Sequence, residues 1–178
     1  MAAEVIEILD SDGVNRALTR IAHEILEHNK GIKDLVLIGI RTGGAYLATQ
    51  LQKKISEIEG ADVPLGIIDV TMYRDDLCSR SDLAVGQTDI PFRLRDQKIV
   101  LVDDVLFTGR TIRAAMGAVM DLGRPQNIQL AILVDRGHRE LPIRPDYIGR
   151  NLPTGRNEQI KVDFDDQNTA QAVHLLRN

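Results

Sequence analysis

The chain has 178 residues, 43% of them hydrophobic and 27% charged, which is the composition of a globular protein with one core, and we predict a single domain over residues 1–178. The formal net charge of −4 and the aromatic content of 3% argue against wholesale nonspecific nucleic-acid binding and against a surface of stacking aromatic rings. No apolar run approaches the length of a membrane span and the first residues lack the pattern of a secretory signal, so we expect a cytoplasmic protein with no membrane partner.

The first predicted elements are an amphipathic helix and a buried strand. Apolar side chains recur at steps of four, three and four residues, the spacing of one helix face, at Val14, Leu18, Ile21 and Ile25. This spacing predicts a helix over residues 13–29, with Arg16, Arg20 and His23 together on the opposite face. The continuous apolar run over residues 35–40 predicts a strand that is buried on both faces.

A turn, a helix, a strand and a long polar segment come next. The turn lies at residues 42–44, the helix at 45–58 and the strand at 65–70. Residues 71–96 are polar and have weak periodicity. Loops of that length in compact domains are usually functional or disordered, and we predict a flexible flap over about residues 71–96.

The second half of the chain repeats the alternation of strands and helices. The apolar pattern predicts a strand over residues 98–102, a helix over 111–122, a strand over 128–134 and a further strand over 160–164. Buried strands that alternate with helices predict an α/β fold with a mostly parallel, twisted sheet flanked by helices. Ligands of such sheets bind beyond the carboxyl ends of the strands.

The strongest functional signal is the string over residues 99–111, in which a buried strand ends in Asp103 and Asp104 and a short loop opens a helix. Free N–H groups and the helix dipole at residues 108–111 make an anion cradle, and Gly109 lets the backbone approach a phosphate closely. Two acids beside such a cradle predict a ligand that carries sugar hydroxyls, or a divalent cation, next to its phosphate. A ribose phosphate meets both conditions, and the acids are candidate catalytic residues because they can stabilise positive charge on the sugar ring.

Residues 39–44, Gly-Ile-Arg-Thr-Gly-Gly, have the same order of strand, loop and helix. Arg41, Thr42 and Gly43 therefore form a second candidate anion loop, although plain turn glycines before a helix would also explain the pattern. The Gly-Lys-Ser/Thr ending of a P-loop is absent, which disfavours hydrolysis of ATP or GTP.

The string over residues 99–111 resembles the signature with which type I phosphoribosyltransferases bind 5-phosphoribosyl-1-pyrophosphate (PRPP). The resemblance implies that fold, with a flap and hood over the carboxyl ends of the strands. It also implies that PRPP or a nucleotide contacts Asp103, Asp104, Val105, Leu106, Phe107, Thr108, Gly109, Arg110 and Thr111.

The resemblance also assigns roles to three parts of the chain. Arg41, Thr42 and Gly43 resemble the loop that grips pyrophosphate, although pyrimidine-type relatives usually have arginine in place of Gly43. Purine-using relatives carry an acidic residue in place of Phe107, which argues against a purine substrate. Tyr73, Arg74 and Asp75 resemble the start of the mobile flap of these enzymes.

Four more strings narrow the resemblance to the pyrimidine-operon attenuation regulators, the PyrR-type family, whose members also have uracil phosphoribosyltransferase activity. These strings cover residues 17–24, 73–76, 134–144 and 147–151. The resemblance implies that uracil is positioned by Val134, Asp135 and Arg136. Family members also bind a stem-loop in the leader of pyrimidine-biosynthesis mRNA, and the positions implied for RNA contact are Thr19, Arg20, His23, Arg139, Arg144 and Arg150.

The implied reaction converts uracil and PRPP to UMP and pyrophosphate, and UMP or UTP is expected to promote RNA binding. We expect Mg²⁺ to bind mainly through PRPP, or through Asp103 or Asp104, and we expect a homo-oligomer, a dimer or higher. Two alternatives stay open. Gly43 suggests a nucleotide-sensing RNA-binding regulator with little catalytic activity, and the shared PRPP loop is also compatible with a phosphoribosyltransferase for another base.

Overall fold

The structure, a computed structural model, describes residues 4–75 and 87–177. Its helices and strands follow in chain order. They are β1 (Glu4–Leu9), α1 (Ser11–Asn29), β2 (Leu35–Ile40), α2 (Gly43–Glu59), β3 (Leu65–Ile68), β4 (Lys98–Leu106), α3 (Arg110–Leu122), β5 (Asn127–Asp135), β6 (Tyr147–Asn151), β7 (Gln159–Phe164) and β8 (Ala170–Arg177). A short 3-10 helix, Thr71–Tyr73, lies between β3 and β4.

The larger sheet has five parallel strands in the order β3-β2-β4-β5-β6. Parallel neighbours need crossover connections, and α2 and α3 supply two of them. The predicted α/β fold with a mostly parallel sheet flanked by helices is thereby confirmed.

Both faces of this sheet are covered, which explains why the central strands are continuously apolar in sequence. Leu35 and Leu37 of β2 pack with α1 and α2 in one core cluster. Val36, Ile38 and Ile40 of the same strand pack with α3 in the other cluster. Successive side chains of a strand point to opposite faces, so this alternation places α1 and α2 on one side and α3 on the other.

A second, antiparallel sheet has the strand order β1-β8-β7. Only the strand at residues 160–164 was predicted there; β1 and β8 were not. Glu4 lies opposite Arg177 in the β1–β8 pair, a pairing between distant segments that local patterning does not reveal. Val173 of β8 is fully buried in the core cluster of α1 and α2.

The observed elements correct several predicted boundaries. β3 ends at Ile68 rather than at residue 70. β4 runs to Leu106 rather than to residue 102, so the acid pair lies inside the strand. The parallel strand β6 was not predicted.

Residues 76–86, the middle of the predicted flap, lie outside the described residues. Among those that are described, no helix is both long and apolar enough to cross a membrane.

Candidate active site

The two candidate anion loops lie side by side at the carboxyl edge of the parallel sheet. β2 and β4 are neighbours, with Gly39 opposite Val102. Helix α2 begins at Gly43 directly after β2, and α3 begins at Arg110 directly after β4. A Cβ atom added to Gly43 would lie only 2.3 Å from Oδ2 of Asp104. The fold therefore brings both loops and the acid pair to one place.

The two acids face different parts of this site. Asp103 is buried and lines a cavity with the loop after β4, whereas the half-buried Asp104 directs Oδ2 at Gly43. Oδ1 of Asp103 accepts the backbone N–H of Asp104 at 2.9 Å, and Oδ1 of Asp104 accepts that of Val105 at 2.8 Å. Burial, and then the neighbouring charge of Asp104, raises the pKa of Asp103 well above its usual range.

The loop after β4, residues 107–109, is short and turns sharply. Gly109 has φ 93°, a left-handed conformation that glycine adopts at little cost. Oγ1 of Thr108 accepts the N–H of Arg110 at 3.3 Å. The N-terminus of the thirteen-residue helix α3 and the loop enclose a cavity of about 350 Å³. Its lining comprises Arg74, Asp103, Val105, Leu106, Phe107, Thr108, Gly109, Thr111 and Ile112.

The loop after β2 depends on glycines that touch β4. A Cβ atom on Gly44 would lie 2.3 Å from the carbonyl oxygen of Val102. The peptide bond between Arg41 and Thr42 is cis. Nη2 of Arg41 donates to the carbonyl oxygen of Gln87 at 2.8 Å, so this arginine holds a residue in the second half of the predicted flap.

The first residues of the predicted flap are held by the N-terminal part of α3. Nη1 of Arg110 donates to Asp75 at 2.8 Å and Nε of Arg110 to Glu140 at 2.7 Å. Nη1 of Arg113 donates to the carbonyl oxygen of Tyr73 at 3.4 Å. Arg74, which lines the cavity, lies near enough to Asp103 to oppose the rise of its pKa. All three predicted flap residues thus lie beside the candidate PRPP loop.

The residues predicted for uracil lie at the end of β5, but their side chains have other partners. Val134 is fully buried in the core, and Asp135 accepts the N–H of Gly137 at 3.1 Å. The guanidinium of Arg136 lies 4.0 Å from the centre of the Phe107 ring. It donates to Oγ1 of Thr154 at 3.1 Å and to the carbonyl oxygens of Gly155 and Glu158 at 3.1 and 2.7 Å.

The role of Arg136 in positioning uracil stays a prediction. Burial lowers the pKa of Arg136, and its donors are occupied by the loop between β6 and β7, so it builds the wall of the site together with Phe107. The sequence did not single out Thr154 or Glu158. Nothing in their spacing marks them, because they approach Arg136 only through the fold.

Most of the residues predicted for RNA contact lie on or near one surface. Nη2 of Arg20 donates to the carbonyl oxygens of Ile148 and Gly149 at 3.0 and 2.8 Å, so α1 lies against β6, which carries the exposed Arg150. His23 is exposed on α1, and Oγ1 of Thr19 donates to the carbonyl oxygen of Asn15 at 2.8 Å.

Two arginines from the loop after β5 complete this predicted RNA-binding set. Arg144 is exposed at the rim of a cavity of about 680 Å³ that lies between the loops after β5 and β6. The side chain of Arg139 is 24% exposed and donates to the carbonyl oxygens of Phe107 and Ile143 and to Asp135. Direct contact of Arg139 with RNA stays a prediction.

Comparisons with known proteins agree with this arrangement. The pattern of the phosphoribosyl transferase domain family matches residues 4–168. The bifunctional protein PyrR of Geobacter sulfurreducens is 65% identical over 169 residues, which cover 94% of this chain and 96% of that protein. The protein of the same name from Deinococcus radiodurans is 54% identical over 180 residues, with 99% and 97% covered.

Solved structures share the fold at lower identity. The hypoxanthine phosphoribosyltransferase of Trypanosoma cruzi has a TM-score of 0.72 at 19% identity, with 96% of this chain and 95% of that chain covered. At this identity the likeness concerns the fold alone, which is that of type I phosphoribosyltransferases. The chain belongs to the phosphoribosyltransferase family and, within it, to the family of bifunctional PyrR proteins.

Proposed function

We propose that this protein transfers the phosphoribosyl group of PRPP to uracil, giving UMP and pyrophosphate, and that it also binds the mRNA leader of pyrimidine-biosynthesis genes when UMP or UTP is bound. The observation that carries the proposal is the acid pair between two anion loops. The loop after β4 would hold the 5-phosphate, the loop after β2 would hold the pyrophosphate, and the ribose would lie between them against Asp103 and Asp104.

In the proposed reaction, uracil N1 forms a bond to the anomeric carbon while the bond from that carbon to the pyrophosphate oxygen breaks. The bonding electron pair leaves with pyrophosphate, and the N1 proton passes to solvent or to a base. Positive charge grows on the ribose ring in between. Asp104 is the less buried of the two acids and its Oδ2 lies beside Gly43 of the second candidate loop, so we expect it to offset this charge.

We also propose that Mg²⁺ reaches the site mainly on the phosphates of PRPP. Among residues 4–75 and 87–177 there is no group of three or more His, Cys, Asp or Glu side chains that could hold a metal. Magnesium is commonly held by one or two carboxylates together with substrate phosphates, and Asp104 fits that requirement. The cation would neutralise part of the charge of the leaving pyrophosphate.

A uracil substrate is favoured by the surroundings of Phe107. Its ring carries no group that can exchange a proton with a purine, and Arg136 covers it at 4.0 Å. A steady-state assay with uracil, and with hypoxanthine and guanine as competing substrates, tests the assignment. We expect turnover with uracil. If only a purine is turned over, the substrate is that purine and not uracil. If no base is turned over but UMP binds tightly, the protein is a nucleotide sensor.

Thr108 and Asp104 test the location of the site. Loss of one hydrogen bond to a charged ligand costs about 1.5–3 kcal/mol, or roughly 10- to 100-fold in affinity. Thr108→Ala and Asp104→Ala are expected to lower kcat/KM for PRPP by at least that range while the circular dichroism spectrum stays unchanged. Wild-type kinetics in both variants would show that PRPP does not bind at Thr108 and Asp104.

The RNA-binding role rests on the exposed residues Arg20, His23, Arg144 and Arg150. Gel-shift titration of a pyrimidine-operon leader, with and without UMP, tests it. Arg144→Gln is expected to weaken binding, whereas Arg124→Gln, an exposed arginine on the loop between α3 and β5, serves as the matched control. Absence of binding by the wild-type protein would refute the regulatory role.

We retain the proposal of a homo-oligomer. Met72, Met120 and Leu122 are 76%, 57% and 56% exposed, and contact with a second copy of the chain would remove these apolar side chains from water. Sedimentation velocity should therefore give a mass of at least two chains, and a monomer at micromolar concentration would exclude the proposal.

A further inference from the structure

The segment of residues 136–144 supports the candidate PRPP loop from behind. The backbone N–H groups of Glu140 and Leu141 donate to the carbonyl oxygen of Thr108 at 2.9 and 3.3 Å. In a planar trans peptide the C=O and N–H groups point in opposite directions. The contacts that hold the Thr108 carbonyl therefore point the N–H of Gly109 away from the 136–144 segment, and Gly109 itself lines the cavity.

Arg139 adds further hydrogen bonds between this segment and its surroundings. Nη1 donates to the carbonyl oxygen of Phe107 at 2.9 Å, Nε to that of Ile143 at 2.9 Å, and Nη2 to Oδ2 of Asp135 at 2.5 Å. One planar guanidinium thus joins the candidate PRPP loop, its own segment and the end of β5. By the same peptide geometry, its bond to Phe107 points the N–H of Thr108 away from Arg139, and Thr108 also lines the cavity.

Arg144 differs from Arg139 although both lie on the 136–144 segment. It is exposed, and its side chain has no hydrogen-bond or ion-pair partner among the residues that the structure describes. Its guanidinium is available to an RNA phosphate, whereas all three nitrogens of Arg139 are engaged within the protein. Ile143, whose carbonyl Arg139 holds, directly precedes Arg144, so Arg139 also fixes the backbone from which Arg144 extends.

We propose that Arg139 is a positioning residue of the nucleotide site rather than an RNA contact, and that it couples the affinity for nucleotide to the affinity for RNA by fixing both the Thr108 and Gly109 amides and the backbone at Arg144. The inference deepens the proposed function and rests on it. A phosphate that draws the amides of the candidate PRPP loop forward displaces the Phe107 carbonyl. The planar guanidinium of Arg139, which is bonded to both carbonyl groups, then displaces Ile143 as well.

Two titrations test the proposal on the intact chain. The first measures the Kd of UMP by calorimetry without RNA, and Arg139→Gln is expected to weaken UMP about tenfold, the effect of one lost hydrogen bond to a charged group. Arg139→Lys should remain weakened, because an ammonium cannot bridge three acceptors as a guanidinium does. Arg124→Gln is the control and should match the wild type.

The second titration measures the factor by which UMP tightens RNA binding, which by linkage equals the factor by which RNA tightens UMP binding. Arg139→Gln should bring this factor close to one. Arg144→Gln should weaken RNA binding with and without UMP by the same ratio, and so leave the factor unchanged. Thermal melting of each variant shows whether it folds. If Arg139→Gln does not fold, the two titrations are made with Arg139→Lys instead.

Three results would overturn the inference. If both Arg139 variants bind UMP with the wild-type affinity, Arg139 has no positioning role. If Arg139→Lys alone binds UMP with the wild-type affinity, only the positive charge of Arg139 matters. Weaker RNA binding in Arg139→Gln by an equal ratio with and without UMP would restore a direct contact. A wild-type protein that binds UMP but no RNA would refute only the regulatory part of the proposed function, and the UMP titration would still decide the role of Arg139.

Discussion

The two anion loops share one local pattern but are held in different ways. Each follows a buried strand of the parallel sheet and opens a helix. The loop after β2 is held by contact of Gly43 and Gly44 with β4. The loop after β4 is held by hydrogen bonds to its carbonyl groups from Arg139, Glu140 and Leu141. The first loop is therefore sensitive to any added side chain, and the second to residues some thirty positions away.

The largest effect expected from this difference belongs to Gly44→Ala. The added methyl group would lie 2.3 Å from the Val102 carbonyl oxygen and 3.0 Å from Cα of Asp103, and since both are backbone atoms, α2 must shift. Overpacking of this kind costs about 1–3 kcal/mol, which urea unfolding can measure. In the control, Gly117→Ala of α3, the new Cβ meets nothing within 4 Å, and stability should stay equal or rise. Equal stability of both variants would contradict the packing account.

Gly43→Ala should affect activity more than stability. Its Cβ would lie 2.3 Å from Oδ2 of Asp104, the end of a side chain that can rotate away. We expect kcat/KM for PRPP to fall about tenfold, corresponding to about 1.4 kcal/mol, because the carboxylate leaves its place between the loops. By the same argument we expect Gly43→Arg not to raise kcat/KM for PRPP. Unchanged kinetics in Gly43→Ala would show that the position of Asp104 is immaterial.

Asp103→Asn should stabilise the fold in a pH-dependent manner. Burial and the charge of Asp104 raise the pKa of Asp103 above its ordinary value of 3.8. The stability that this group contributes is present below that ordinary value and is lost as pH rises through the raised pKa. The amide variant escapes this loss and can still accept the N–H of Asp104. We expect its melting temperature to exceed that of the wild type by about 2–4 °C at pH 7, the shift for about 1 kcal/mol, and to equal it near pH 4. A difference in melting temperature that does not change with pH would contradict a raised pKa of Asp103.

The smallest effect is expected for Asp75→Asn. The pair of Arg110 with Asp75 is 30% and 47% exposed, and exposed pairs contribute little to stability. Arg110 keeps Glu140 as a partner, so we expect an unchanged melting temperature and a KM for PRPP raised only about two- to threefold. The more exposed pair of Arg95 and Asp96 offers Asp96→Asn as the control. A KM change of the same size in the control would show that the effect is general rather than local.

Sequence patterning predicted the parts of the fold whose signals are local. The strand at residues 35–40 was predicted with the observed bounds, and the helices α1, α2 and α3 within about two residues. The motif over residues 99–111 and the Arg41–Gly43 loop were both located, because hydrophobic period and glycine position are readable without tertiary contacts. Strands β1, β6 and β8 were missed, since each is stabilised mainly by pairing with a strand far away in sequence.

The sequence by itself determined the parallel α/β core and the places of the two candidate anion loops and the acid pair, because each of these follows from residue type and spacing over about ten positions. Only the tertiary structure decided which donors remain free to meet a ligand. Arg136 and Arg139 are cations like Arg144 in the sequence, yet the fold supplies acceptors for the first two and leaves Arg144 exposed. A side chain's hydrogen-bond partners depend on which distant backbone groups the fold brings within about 3 Å, and no local pattern contains that information.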